Sequence, residues 1–168
     1  MDTLVKLLLD AMDNNKLLVV KNAFSDTPTW EELIVVRENI AKVRDIQWRF
    51  EKFAVTEDSS NDPELKKING HNFFREFFNK NFKDRVWDSS QLIMSETKSS
   101  GIPNHKDAWP QIHWNCVGKS HWWITNFDGI ESEVILDPGD IIFLPLEITH
   151  RVESEEFPRA GIIISFKN

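Results

Sequence analysis

Hydrophobic residues in the first half of the chain recur at the spacing of amphipathic helices in three places. The first helix is predicted to begin at Asp2 or Thr3, either of which can cap it. The second begins with a possible capping box formed by Thr29 and Glu32, and the third covers residues 71–82. The apolar stripes of the three helices are Leu4, Leu7, Leu8 and Met12; Leu33, Val36, Ile40 and Val43; and Phe73, Phe74, Phe77, Phe78 and Phe82.

Two extended segments lie between these helices. Residues 17–20 are a run of Leu and Val that predicts a short buried strand, and residues 47–55 alternate like one longer strand. Residues 56–62 are polar and are followed by Pro63, so we expect a loop there.

The second half has the pattern of short strands divided by turns, with Gly or Pro in most of the dividing segments. The predicted strands are 91–96, 111–117, 121–125, 133–136, 141–144, 148–152 and 161–166. Short strands at this spacing are typical of an antiparallel sandwich or barrel. We therefore predict one α+β, mainly β domain over residues 1–168, with a helix-rich supporting half at 1–89 and a barrel core at 90–168.

Composition narrows the possible functions. The chain has 168 residues and a net charge of −7, so it lacks the broad positive field that nucleic-acid binding requires. Its one cysteine, Cys116, allows no disulfide within the chain, which fits a reducing compartment. The N-terminus has no signal-peptide pattern, and no apolar run approaches the ~20 residues of a membrane span. We expect a cytoplasmic protein with no membrane partner and no nucleic-acid partner.

Aromatic usage is unusual, with twelve Phe, seven Trp and no Tyr. Four of the Trp residues lie close together in the second half, namely Trp109, Trp114, Trp122 and Trp123. Large aromatic side chains usually fill a core, which is the expectation here, and a Trp-rich segment can also line the mouth of a pocket.

His105 and Asp107 are the first candidates for chemistry. Positions i and i+2 of an extended segment point the same way, so an imidazole and a carboxylate can converge there. A third ligand from another segment would complete the 2-His-1-carboxylate triad of non-haem iron oxygenases. The pair alone is weak evidence, because a chain with 5 His and 27 acidic residues is expected to contain such a pair by chance.

A later segment supplies the third candidate ligand, His150. The turn at 137–140 is followed by the apolar run 141–144, by Pro145 and, five residues later, by His150. This order predicts one hairpin that returns His150 to the mouth of the barrel.

These motifs resemble those of a known superfamily. Residues 137–152 are similar to the second conserved block of cupin and JmjC-like hydroxylases, and residues 159–166 resemble the last barrel strand of Fe(II)/2-oxoglutarate-dependent dioxygenases. The resemblance covers residues 90–168 and implies a double-stranded β-helix (jelly-roll or cupin) barrel with the N-terminal helices packed on it. It also implies that His105, Asp107 and His150 bind Fe(II), with the first two on one strand and the third on its spatial neighbour.

The same resemblance implies a site for 2-oxoglutarate. In the prolyl-hydroxylase-like branch, a basic residue about nine or ten positions after the distal His binds the far carboxylate, and Arg159 is nine positions after His150. An Arg fork matches a carboxylate with two hydrogen bonds. Residues 114–119 resemble a JmjC segment whose Asn and Lys can touch 2-oxoglutarate, which makes Asn115 and Lys119 candidates. Lys119 stands one position early, and a one-residue slip reverses the face of a strand, so we favour Arg159 as the anchor.

The implied function is an oxygenase that uses Fe(II), 2-oxoglutarate and O2 to oxidise a small molecule or a protein side chain. A cupin-type metalloprotein that works without 2-oxoglutarate, such as an isomerase or another dioxygenase, is the second interpretation, and Arg159 separates the two. The third interpretation is a barrel that binds a partner without catalysis. The presence of all three candidate metal ligands argues against it. His113 and His121 are rival ligands, as in His-rich cupins, and His71 is interpreted as structural.

Overall fold

A computed structural model of the chain describes residues 2–41, 47–49, 53–58, 71–83, 86–97 and 101–167. These residues form three helices: α1 (Asp2–Asp13), α2 (Trp30–Ala41) and α3 (His71–Asn81). They also form eleven strands: β1 (Leu18–Val20), β2 (Gln47–Arg49), β3 (Phe53–Asp58), β4 (Val86–Ser95), β5 (Ile102–His105), β6 (Gln111–Val117), β7 (Ser120–Thr125), β8 (Glu131–Leu136), β9 (Ile141–Leu144), β10 (Thr149–Ser154) and β11 (Arg159–Lys167). No helix in the described part of the chain combines the length and the apolar character needed to span a bilayer.

The strands form two antiparallel sheets. The larger has the order β1-β9-β6-β11-β4-β3-β2, and the smaller has the order β5-β10-β7-β8. From β4 onward the chain passes repeatedly from one sheet to the other, which is the winding of a double-stranded β-helix. The mainly β barrel with N-terminal helices is therefore confirmed. The N-terminal half also contributes strands of its own, because β1, β2 and β3 extend the larger sheet at its two ends.

Two apolar clusters hold these layers together. In the first, Leu8, Leu33 and Phe78 of the three helices are buried with Trp114 and Ile162 of the larger sheet. The second cluster lies around the smaller sheet and contains buried residues of β7 to β10, with Trp122 as its largest member. Burial of a side chain of this size contributes about 1.5–3 kcal/mol, so the helices are structural partners of the barrel.

Strand β6 separates these two environments. Its apolar residues Ile112, Trp114 and Cys116 belong to the cluster under the helices. Its polar residues alternate with them and are also buried; they are Gln111, His113 and Asn115. Since successive side chains of a strand point to opposite faces, the face of β6 that looks into the barrel is polar.

Several predicted elements are confirmed by the structure. The Thr29 backbone N–H donates to Glu32 Oε2 at 2.8 Å, and the Glu32 N–H donates to Thr29 Oγ1 at 3.3 Å, as a capping box requires. The bounds predicted for β6 and β9 agree with those observed. Leu7 is exposed rather than part of the buried stripe of α1. Val43 and the side chain of Ile40 lie outside the described residues.

The single strand predicted over residues 47–55 is wrong. This segment contains β2 and the start of β3, which pair antiparallel with Gln47 opposite Val55. Strand β3 continues to Asp58, into the predicted loop, because it also pairs with β4 through that residue. Residues 59–62 of that loop lie outside the described part of the chain.

The hairpin predicted around Pro145 is also wrong. Strands β9 and β10 belong to different sheets, and the residues between them carry the chain across, with Glu147 at a φ of 67°. The reason is that β9 is already paired on both sides, with β1 and β6. The chain must therefore leave the larger sheet, and it reaches the smaller one at His150.

The carboxylate of Asp140 ties three segments together. It is fully buried, and its two oxygens accept the backbone N–H groups of Asn22 at 2.8 Å and Asp137 at 2.7 Å. Lys21 also forms an ion pair with it. The backbone of residues 139–140 pairs with Asn115 of β6 at 2.9 and 3.0 Å. The carboxylate thus joins the end of β1 to the turn before β9, and the backbone of that turn joins both to the middle of β6.

We predict that Asp140→Ala lowers the free energy of unfolding by on the order of 3 kcal/mol, because two part-buried N–H groups lose a charged acceptor that is itself fully buried. Urea unfolding followed by circular dichroism measures this change. The matched control is Asp137→Asn, which alters a half-exposed ion pair with Lys21 and should cost less than about 1 kcal/mol. Equal losses in the two variants would contradict the anchoring role of Asp140.

Candidate metal centre

Two of the candidate ligands face each other across a pair of neighbouring strands. His105 is the last residue of β5, and His150 is the second residue of β10. These two strands are paired antiparallel, with His150 directly opposite His105. The centroids of the two imidazole rings are 4.2 Å apart. Asp107 follows two residues after the end of β5.

The three side chains bring their ligand atoms to one point. His105 Nε2 lies 3.7 Å from Asp107 Oδ1, and His150 Nε2 lies 3.4 Å from Asp107 Oδ2. All three ligand atoms lie within 4.8 Å of one another, and the described residues contain no second group of this kind. This spacing is what a single cation between two imidazoles and a carboxylate requires.

Both imidazoles are held by the nitrogen that faces away from this point. His105 Nδ1 donates to the Pro103 carbonyl at 2.8 Å, and His150 Nδ1 lies 3.3 Å from the Ile148 carbonyl. A carbonyl only accepts hydrogen bonds, so each neutral ring carries its proton on Nδ1 and presents the Nε2 lone pair. Metal-binding histidines are oriented in this way in proteins generally.

Asp107 is unsatisfied in the absence of a cation. Its side chain is 21% exposed, and its Oδ2 atom is buried without a hydrogen bond from any described residue. Burial raises the pKa of this carboxyl, while the nearby His105 and a hydrogen bond from Gln111 oppose that rise. A positive charge at this point would satisfy the oxygen and remove the cost of burying it.

The surroundings also keep the buried imidazoles neutral. Burial, with a smaller contribution from the nearby His105, lowers the pKa of His150 to about 4. His113 is completely buried, and burial together with His150 and Arg159 holds its pKa well below the ordinary value. Neutral imidazole is the form that binds a metal ion, so His150 is ready to bind at neutral pH.

The triad lies in the wall of a cavity of about 260 Å³ between the two sheets. Arg159, the first residue of β11, lines the same cavity and is 4% exposed. Burial lowers the pKa of its guanidinium to about 10, so the side chain stays charged at neutral pH. The rest of the wall is mainly apolar and includes Ile93, Trp122 and Ile163.

The two other residues predicted to touch 2-oxoglutarate do not line this cavity. The Asn115 amide donates to the carbonyls of Gly118 and Leu136 at 2.7 and 3.3 Å, and its oxygen accepts from Ser120 at 3.1 Å. Asn115 therefore closes a turn. Lys119 is partly exposed and is paired with Glu156 and Asp137 on the outside of the barrel. The early position of Lys119 thus directs it to the outer surface, as the one-residue slip suggested.

The rival histidines are in different places. His113 lines the cavity, but its Nε2 lies 2.8 Å from Gln111 Oε1, and its ring centroid is 6.4 Å from that of His150. His121 lies between Glu133 and Glu155 and stacks on Trp123, away from the cavity. The side chain of His71 lies outside the described residues. Neither His113 nor His121 belongs to the group of three converging ligands.

Sequence reasoning missed Gln111, which lines the cavity beside Asp107. A signal was present, because β6 alternates polar residues with large apolar ones, and Gln111 shares its polar face with the candidates His113 and Asn115. In the Trp-rich segment, Trp114 and Trp122 are buried as expected of core residues, whereas Trp109 is exposed. Trp122 fits both expectations, since it belongs to the core and also lines the cavity.

Comparisons by sequence give no match, either to a protein-family model or to a curated protein. Comparison of structures gives many. YcfD, a ribosomal oxygenase from Escherichia coli whose structure holds cobalt and 2-oxoglutarate, is 16% identical, with a TM-score of 0.58 over 97% of this chain and 51% of YcfD. A prolyl-4-hydroxylase from Pseudomonas putida is 10% identical, with a TM-score of 0.58 over 98% of both chains. Oxalate decarboxylase from Bacillus subtilis is 13% identical, with a TM-score of 0.50 over 74% of this chain and 28% of that one.

These similarities establish the fold. The chain spans about half the length of YcfD and the whole length of the prolyl-4-hydroxylase. The three proteins are a ribosomal oxygenase, a prolyl hydroxylase and a decarboxylase, so the barrel by itself does not select one reaction. The chemistry has to be argued from the residues of the cavity.

We predict that His150 in metal-free protein stays neutral until the pH falls to about 4, whereas the same residue titrates near 6.5 in the unfolded chain. The unfolded chain therefore binds this proton first, and the contribution of His150 to the free energy of unfolding falls as the pH is lowered from 6.5 to 4. NMR titration of the His150 ring protons, with and without urea, measures both values. A folded-state midpoint near 6.5 would contradict the burial argument.

Proposed function

We propose that this protein is a non-haem Fe(II)- and 2-oxoglutarate-dependent oxygenase, which couples decarboxylation of 2-oxoglutarate to the oxidation of a substrate. The observation that supports this proposal is the combination of the triad with Arg159 in one cavity. A metal site and a buried guanidinium facing the same small space are what a ligand with a metal-chelating end and a free carboxylate requires.

The triad fits Fe(II). Two neutral imidazoles and one carboxylate are the ligands of the 2-His-1-carboxylate class, which leaves positions on the metal open. His105 and His150 present Nε2 lone pairs, and Asp107 supplies a negative charge and a buried oxygen that lacks a donor. When bound, the iron supplies the redox chemistry by which O2 oxidises 2-oxoglutarate and the substrate.

Arg159 suits the far carboxylate of 2-oxoglutarate. A guanidinium forms two parallel, charge-assisted hydrogen bonds with a carboxylate. Such bonds are stronger when both groups are removed from water, and Arg159 is almost completely buried. Holding this end of the cosubstrate leaves its keto acid end free to point toward the triad.

The rest of the cavity excludes water and restricts size. Ile93, Trp122 and Ile163 form apolar walls around the polar groups, and a dry site strengthens every electrostatic contact inside it. A volume of about 260 Å³ is at the small end for ligand pockets. This volume favours 2-oxoglutarate together with one side-chain-sized group over a large metabolite.

The structural similarities support the same class of reaction. YcfD is described in complexes with cobalt and either 2-oxoglutarate or succinic acid. Both YcfD, a ribosomal oxygenase, and the prolyl-4-hydroxylase have names that refer to protein substrates. By analogy, a protein side chain is a suitable substrate class for this chain, and a small molecule of similar size is the other.

A cupin that works without 2-oxoglutarate is the competing function, and the likeness to oxalate decarboxylase is the observation that favours it. Arg159 is the feature that distinguishes the two. A buried guanidinium that lines the same cavity as the triad favours an anionic ligand there. Binding of 2-oxoglutarate therefore decides between the two functions.

We predict that the protein binds about one Fe(II) or Co(II) per chain and that His105→Ala and His150→Ala each lose the metal, because two donors are too few for a stable open site. Metal analysis after gel filtration measures this. The matched control is His121→Ala, which removes a histidine on the outer surface and should retain the metal. Retention in both ligand variants, with loss in His113→Ala, would mean that the ligand assignment is wrong.

We predict that Arg159→Lys weakens 2-oxoglutarate binding roughly tenfold to a hundredfold, because charge-assisted hydrogen bonds contribute on the order of 1.5–3 kcal/mol, and leaves metal content unchanged. Lys119→Ala is the control and should bind normally. Anaerobic titration of the Fe(II) protein, followed by visible absorption of the keto acid chelate, measures affinity. Exposure to air should then produce succinate slowly in wild type, and Asp107→Ala should produce little or none. Normal affinity in folded Arg159→Lys and Arg159→Ala variants would favour the cupin that works without 2-oxoglutarate.

A further inference from the structure

Gln111 and His113 form a buried polar pair beside the triad. They are the first and third residues of β6, so their side chains lie on the same face of the strand. Each is 8% exposed, and both line the cavity that contains the triad. Gln111 Oε1 lies 2.8 Å from His113 Nε2. Neither residue has a role in the reaction proposed above.

The direction of this hydrogen bond follows from its neighbours. Asp107 lines the same cavity as Gln111, and its buried Oδ2 atom has no donor among the described residues. A carboxylate only accepts hydrogen bonds, so Gln111 can serve it only with its NH2 group turned toward Asp107. The Gln111 carbonyl oxygen then points to His113. Because that oxygen also only accepts, the proton of the neutral His113 ring must be on Nε2. The direction runs from His113 to Gln111 to Asp107.

This arrangement makes His113 the opposite tautomer of the two metal-binding histidines. His105 and His150 lie with Nδ1 against backbone carbonyls, which puts their protons on Nδ1. His113 carries its single proton on the other nitrogen. Its burial and the nearby His150 and Arg159 disfavour a second proton on this ring.

These hydrogen bonds matter because the candidate ligand Asp107 is not part of a strand. Asp107 lies beyond the end of β5, in the connection to β6, where no strand pairing holds it. Gln111, in contrast, is paired on both sides, with Leu144 of β9 and Ser165 of β11. A hydrogen bond from Gln111 to the buried Oδ2 of Asp107, which has no donor among the described residues, would therefore tie this loop-borne candidate ligand to a strand that is paired on both sides.

We propose that Gln111 and His113 are positioning residues, forming a hydrogen-bonded relay that orients the Asp107 carboxylate toward the metal. This inference rests on the proposed role of Asp107 as a ligand. Partners that orient a ligand in this way typically affect metal affinity tenfold to a hundredfold when they are removed. Gln111 acts directly on Asp107, and His113 acts through Gln111 by keeping its amide from turning over.

Cobalt(II) titration of purified variants tests the relay, with the visible absorption of the bound ion as the signal. We expect Gln111→Met, which keeps the side-chain length and removes both hydrogen bonds, to bind cobalt roughly ten to a hundred times more weakly than wild type. His113→Phe should also weaken binding, and His113→Gln should recover part of the loss, because it restores a donor within reach of Gln111. The matched control is Ile112→Val, on the same strand but on the opposite face, which should bind cobalt normally.

Histidine tautomers provide the second measurement. Zinc is a diamagnetic ion that binds the same types of ligand atom. Long-range hydrogen–nitrogen NMR of the zinc-loaded protein should show His113 protonated on Nε2, and His105 and His150 protonated on Nδ1. In Gln111→Met the His113 tautomer should no longer be fixed. A wild-type protein that binds neither cobalt nor zinc would overturn the proposed function itself. Metal binding in wild type, together with undiminished affinity in Gln111→Met or an Nδ1 proton on His113, would overturn the relay alone.

Discussion

The short ladder between β5 and β10 is the interaction on which the site depends. Strand β10 is paired with β7 at six successive positions, whereas β5 is an edge strand whose pairing with β10 is interrupted by a bulge between His150 and Val152. At the start of β5, the positive φ of Gly101 allows a close approach to Val152, where a Cβ atom would lie 2.3 Å from the carbonyl oxygen. This close approach fixes the end of a strand that carries one ligand and introduces a second.

The cavity gathers groups that a barrel interior ordinarily avoids. A carboxylate with a raised pKa, two imidazoles with lowered pKa values and a buried guanidinium surround the same small space. Each shift reports a group whose charge is poorly solvated. Together they show that the fold places several poorly solvated groups around one cavity, an arrangement that is common at functional sites.

Sequence reasoning succeeded where the signal was local. The capping box at Thr29 and Glu32, and strands such as β6 and β9, follow from residues close together in the chain. It failed where the outcome depends on distant partners. The residues from β9 to β10 have the pattern of a hairpin. The chain does not form one, because β1, which is far away in sequence, pairs with the second edge of β9.

The candidate site shows the same division. Arg159 and the triad could be proposed from spacing once the resemblance was recognised, and the early position of Lys119 favoured Arg159 over that residue. Gln111 could not be identified, because its role depends on a contact with Asp107 across a turn. The polar face of β6 was visible in the sequence, yet only the arrangement of the two sheets gives that face a cavity to line.

Strand β6 serves two purposes at once, and this limits how the protein can change. One face of the strand fills the core beneath the helices, and the other supplies the polar wall of the cavity. An inserted or deleted residue in the connection at 108–110 that shifted the register of β6 would exchange the two faces, burying Gln111 and His113 under the helices and turning Trp114 into the cavity. The barrel and its site would then be lost together, so the length of this connection is constrained by both faces of the strand.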